Sequence, residues 1–159
     1  LAFHAVAAIQ PGLKLVFVGS GPVRPELERR ASEMGIASQV VFVPQTAAVE
    51  PLYRGIDIFV LPSLSEALSN SLMEAMASGC CPVASSVGGN PELVSHSKTG
   101  MLFPKEDWTA LAACLRQLIA NPETRRHFAH AARERMVKEF SIPVSIQRMQ
   151  HIYSGYLEK

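Results

Sequence analysis

What most constrains this chain is a rhythm of five short apolar runs separated by helical stretches. The runs are Lys14–Val18, Gln39–Val43, Asp57–Leu61, Pro82–Ser85 and Met101–Phe103. Most are uninterrupted rather than alternating, as expected of strands covered on both faces. Helical spacing occupies the intervals near residues 23–35, 47–55, 70–79 and 90–96. This alternation predicts an α/β domain: a Rossmann-like parallel sheet with helices on both faces. After Phe103 only helical spacing remains. Trp108, Leu111, Ala112, Leu115, Leu118 and Ile119 mark one apolar face, and Phe128, Ala132, Met136 and Phe140 a second. Asn121-Pro122 reads as the N-cap and first residue of that second helix. Ser141 is expected to cap a last helix, with Ile146, Met149, Ile152, Tyr153 and Tyr156 on its apolar side. The reading is one domain over residues 1–159, closed by a C-terminal helical tail.

Composition narrows the partners. With 48% hydrophobic residues, the chain has material for a sizeable core. A net charge of +1 gives no reason to expect nucleic acid or an acidic membrane as the main partner. It leaves room for a small anionic ligand held by local positive potential. No apolar run approaches the ~18–20 residues of a membrane span. The opening LAFHAVAAIQPG lacks the basic region and long apolar core of a signal peptide. The chain starts with Leu rather than Met, and Leu1 reads as mid-helix, so the natural N-terminus is expected upstream. Cys80, Cys81 and Cys114, an odd count with an adjacent pair, suggest a reducing cytoplasm rather than a disulfide framework. No Cys/His spacing resembles a zinc site, and no metal or cofactor is expected.

The chemistry concentrates between the strand Asp57–Leu61 and the helix that follows it. Ligands of open parallel sheets bind beyond the carboxyl ends of the strands. A helix starting there directs free N–H groups and roughly half a positive charge at the ligand. Ala67, Ser69 and Ser71 are small enough to let an anion such as a diphosphate approach. Two carboxylates flank this point, Glu66 in the loop and Glu74 in the helix. A carboxylate beside an anion site has a use if it accepts hydrogen bonds from a vicinal diol, so the combination reads as diphosphate plus sugars. Two plainer readings stand beside it. Ser71-Leu72-Met73-Glu74 fits a capping box, and Glu66 fits a solvated loop carboxylate.

Pro62-Ser63, then Glu66 to Glu74, then Ala75-Met76-Ala77-Ser78-Gly79, resembles the E-x7-E region of retaining glycosyltransferases of family four, which have the two-domain GT-B fold. The likeness continues through Ser85–Val94 and Thr99–Leu102. Upstream, Val18-Gly19-Ser20-Gly21-Pro22 is similar to the family's V-G-x-G-P turn. The resemblance implies the nucleotide-sugar donor domain of a larger enzyme. Glu66, the candidate catalytic residue, would lie beside the donor sugar. Ala67, Leu68, Ser69 and Asn70 would cradle sugar and diphosphate, with the Ser71 and Leu72 amides nearby. Glu74 would bind ribose hydroxyls. Val43, Pro44 and Gln45 would lie near the base, with Gly19 close to the donor. Transfer would proceed with retention, the leaving diphosphate stabilised by helix N–H groups and basic side chains, usually without a metal.

Several positions depart from the family pattern. Ala67 and Leu68 stand where many relatives have Gly and an aromatic, Pro82 comes one place late, and Ser86 replaces a common Asp. The basic diphosphate-binding residues, the first central strand and the N-terminal acceptor domain would all lie upstream. The implied strand order is 39–43, 14–18, an absent strand, 57–61, 82–85 and 101–103, so this piece should show a gap between 14–18 and 57–61, close it by direct pairing, or, the favoured reading, be one part of a longer protein. This piece alone should not catalyse transfer, and any peripheral membrane association would belong to the full-length enzyme. Gly19, Gly21, Gly88 and Gly89 are expected to serve tight turns more than ligand contact. The cysteines and His96, His127, His130 and His151 read as structural or surface residues. A non-catalytic nucleotide-sugar binding module, and an epimerase of the same fold, remain alternative functions.

Overall fold

The apolar runs become five strands: β1 (Leu15–Val18), β2 (Val40–Val43), β3 (Ile58–Leu61), β4 (Cys81–Ser85) and β5 (Met101–Phe103). The computed structural model describes residues 1–10 and 12–157, with side chains through residue 155. The helices are α1 (His4–Ala7), α2 (Arg24–Glu33), α3 (Glu50–Arg54), α4 (Asn70–Ala77), α5 (Asn90–Leu93), α6 (Trp108–Ala120), α7 (Pro122–Glu139) and α8 (Ile142–Leu157). Every strand pairing is parallel.

Element ends shift for local reasons. Gln39 closes a 3-10 turn (Ala37–Gln39) instead of opening β2, and its side-chain amide donates to the Ala7 and Leu13 carbonyls. α3 starts at Glu50 rather than residue 47, because Pro51 is tolerated only in a first turn. The helix expected over 90–96 stops at Leu93, since Val94 turns to extended backbone. Asn121 does not cap α7 with its side chain. Its Nδ2 instead donates back to the Gln117 carbonyl at the end of α6.

The sheet is interrupted where a gap was expected. β1 pairs with β2, β3–β4–β5 form a separate three-stranded sheet, and no ladder joins β1 to β3 among the described residues. The two blocks differ in burial. All five residues of β4 are buried, whereas Val16, Phe17 and Val18 of β1 are 39%, 37% and 42% exposed. One face of the larger sheet packs Val83 and Met101 against Leu111, Leu115 and Leu118 of α6. The other packs Ala84 against Leu72 and Met76 of α4 and Ala132 and Met136 of α7. Both layers bring the carboxyl ends of β3, β4 and β5 to one edge.

Two apolar expectations do not hold. Trp108 is exposed at the start of α6, and α8 lies against α7 with Ile146, Met149, Ile152 and Tyr153 exposed. An amphipathic pattern fixes which face of a helix is apolar, not whether anything covers it. The side chain of Tyr156 lies outside the described residues.

The cysteines are free and buried, and Cys80 Sγ donates to the Tyr53 carbonyl at 3.2 Å. Burial pushes the Cys80 thiol up to about 11 and that of Cys81 up to about 12, from an ordinary 9.0. A buried thiol is a poor nucleophile. The folded protein should therefore resist a thiol reagent at pH 8 and label three cysteines only when denatured, which absorbance titration checks. Because the folded state holds these protons more tightly, their contribution to stability is full below pH 9 and is lost as pH rises towards 11–12.

Candidate functional site

The site is built on the loop from β3 into α4. Ser69 is extended and buried, and its Oγ accepts the Leu72 N–H at 3.3 Å, so Ser69 is the N-cap of α4. The helix therefore begins two residues earlier than a cap at Ser71 requires. The Ser71–Glu74 capping box is not formed. Glu74 sits one turn inside the helix and accepts a hydrogen bond from the Tyr53 hydroxyl at 3.2 Å. Burial, followed by the Glu74 contact, pushes the Tyr53 hydroxyl up to about 12, so it stays a donor at neutral pH.

Leu72 departs from the expected donor contact in a similar way. Its side chain is fully buried and its amide is committed to Ser69. The first two amides of the helix, those of Asn70 and Ser71, have no intrahelical acceptor by position. Ala67, Leu68 and Asn70 are exposed beside them.

Glu66 is half-buried, and its Oε1 accepts a hydrogen bond from Ser63 Oγ at 2.7 Å. It lines an open cavity of about 840 Å³ with Ser86, Val87, Gly88, His96 and Lys105. His96 Nδ1 accepts the Leu102 N–H at 3.0 Å, so a neutral His96 carries its proton on Nε2. The β4–α5 turn presses directly on the Glu66 loop. A Cβ at Gly88 would stand 1.6 Å from the Glu66 carbonyl, and one at Gly89 would stand 2.2 Å from that of Ala67. Gly88 does occupy a positive φ of 49°, as a turn requires, but close approach is the stronger constraint.

The candidate residues thus fall into three groups. Glu66 faces the cavity beyond β4 and β5. Glu74 lies against α3 through Tyr53. The third group joins the two loops of the smaller sheet: the Gly19 N–H donates to the Val43 carbonyl at 3.0 Å, and Ser20 Oγ donates to Gln45 Oε1 at 3.3 Å. Pro44 is exposed between them. Sequence reasoning missed Tyr53 and Ser63. Ser63, three residues before Glu66 in a loop, offered a local signal; Tyr53 offered none.

The sequence pattern of the glycosyl transferases group 1 matches residues 1–135. The chain belongs to that family. Group 1 relatives include the alpha-maltose-1-phosphate synthase of Mycolicibacterium smegmatis, 32% identical over 94% of this chain and 43% of the relative. The sulfoquinovosyl transferase SQD2 of Arabidopsis thaliana is 34% identical over 80% of this chain and 25% of the relative. The chain thus spans less than half the length of these curated relatives. Among solved structures, Anabaena HepE in complex with UDP superposes with a TM-score of 0.88 at 23% identity, over 97% of this chain and 44% of HepE. Both it and the other neighbours place this group 1 chain on the GT-B fold.

No helix among the described residues is long and apolar enough to cross a membrane. Likewise, no group of three or more His, Cys, Asp or Glu residues converges as a metal site among them.

Proposed function

We propose that this chain is the donor-binding part of a larger glycosyltransferase that moves a sugar from a nucleotide-sugar to an acceptor with retention of configuration. One arrangement carries the reading: Glu66 is held in the wall of an open cavity three residues before the N-cap of α4, with Glu74 one turn inside that helix. The Asn70 and Ser71 amides would receive the diphosphate, with Ala67, Leu68 and Ser69 shaping the approach. Glu74 would take ribose hydroxyls, and Val43, Pro44, Gln45 and Gly19 would border the base. The sugar would rest against Glu66. Relatives support a nucleotide-sugar ligand, since HepE is described with UDP and with UDP-glucose. The reading assigns charge stabilisation to backbone N–H groups and basic side chains without a metal. It makes transfer a property of the whole protein and leaves this piece inactive alone. Three free, buried cysteines support a cytoplasmic setting.

The test is calorimetry on the full-length protein with uridine, guanosine and adenosine diphosphate hexoses, followed by anomeric analysis of the product by NMR. Absence of nucleotide-sugar binding, or an inverted product, would overturn the reading. Glu74→Gln gives a narrower check. It preserves shape but removes a charge-assisted bond, worth about 1.5–3 kcal/mol. Nucleoside diphosphate affinity should fall roughly tenfold to over a hundredfold. Unchanged affinity in a folded variant would remove Glu74 from the ribose site.

A further inference from the structure

Glu66 is the last member of a series of hydrogen bonds that starts in the core. Fully buried Asn90 donates from Nδ2 to the Ser85 carbonyl at 3.0 Å. Ser85, also fully buried, donates from Oγ to the Ser63 carbonyl at 2.7 Å. Ser63 in turn donates from Oγ to Glu66 Oε1 at 2.7 Å. In parallel, the Gly89 N–H donates to the Ala67 carbonyl at 2.8 Å, so one end of the Glu66 segment is tied to the last residue of β4 and the other to the turn that follows it.

We propose that Ser63 is a positioning residue for Glu66, with Ser85 and Asn90 holding Ser63 in place. A free glutamate on a loop samples many rotamers and loses that freedom when it meets a ligand. A carboxylate already fixed through one oxygen loses less, and its other oxygen stays available to a sugar hydroxyl. The series reaches Glu66 from buried groups, so its geometry is set by the core rather than by solvent. The inference rests on reading Glu66 as the group that meets the transferred sugar.

The experiment compares Ser63→Ala and Ser63→Thr with the parent in the full-length protein. Donor hydrolysis is followed with the diphosphate hexose that the parent accepts, and binding of the matching bare nucleoside diphosphate is followed by calorimetry. Ser63→Ala should lower turnover roughly tenfold, the weight of one hydrogen bond to a charged group. Binding of the bare diphosphate should stay within about twofold of the parent. Ser63→Thr keeps the hydroxyl and should restore most of the turnover. Full turnover in Ser63→Ala, or equal loss of turnover and diphosphate binding that threonine does not rescue, would overturn the positioning role alone. A parent protein that binds no nucleotide would instead overturn the functional reading, and this inference with it.

Discussion

Glu66→Ala in the full-length enzyme is expected to lower turnover by about a hundredfold to a thousandfold, the range seen when one transition-state contact is removed. Affinity for the bare nucleoside diphosphate should stay within about threefold. The asymmetry follows from where the side chain lies. Glu66 faces the cavity beyond β4 and β5, while the helix amides and Glu74 sit elsewhere on α4 and against α3. A contact made to the transferring sugar acts on the chemical step, where charge develops as the glycosidic bond breaks. The proposed diphosphate and ribose contacts would be untouched. Single-turnover kinetics beside calorimetry separate the two quantities. Equal losses in both would move Glu66 out of the sugar site and into the general scaffold.

The second large effect is expected at Gly88, which no ligand need touch. Alanine there would place its Cβ 1.6 Å from the Glu66 carbonyl, and the residue also holds φ at +49°. The obstructing atom is backbone, so no side-chain rotation relieves it; the turn or the Glu66 loop must move. Overpacking of about 1–3 kcal/mol and left-handed strain of about 1–2 kcal/mol together suggest a loss of roughly 2–5 kcal/mol. At this chain size the melting temperature should drop by about 4–20 °C. Gly21→Ala is the matched control, because a Cβ there meets nothing within 4 Å. It should stay within about 0.5 kcal/mol of the parent. Thermal denaturation of the three proteins decides the matter. Equal stability of Gly88→Ala and Gly21→Ala would show that the two loops are not pressed together.

The strands and the helical tail were legible because apolar runs and helical spacing are local signals. β5 matches its run residue for residue, and the interruption between β1 and β3 follows from an order read by resemblance. The position of Glu74 on α4 was legible too, but its partner was not. Whether Ser69 or Ser71 caps the helix depends on which of two neighbouring serines turns extended, and spacing does not separate them. Tyr53 reaches Glu74 across 21 positions of sequence, through the packing of α3 on α4. Gly88 and Gly89 read as turn residues because only the folded chain shows the Glu66 loop lying against them. The apolar stripe of α8 carried the helix but not its cover.

The interruption of the sheet gives α1 a weight out of proportion to its four residues. Val6 and Ala2 belong to the core of the larger sheet, Ala7 belongs with Ala31 and Ile36 beside the smaller one, and Phe3 packs against both clusters. Among the described residues no ladder joins β1 to β3, and apolar contact between the blocks runs through this helical turn and its neighbouring side chains. Each block keeps its own ladder and its own apolar cluster, so the pair resembles two foldons joined by a thin hydrophobic weld.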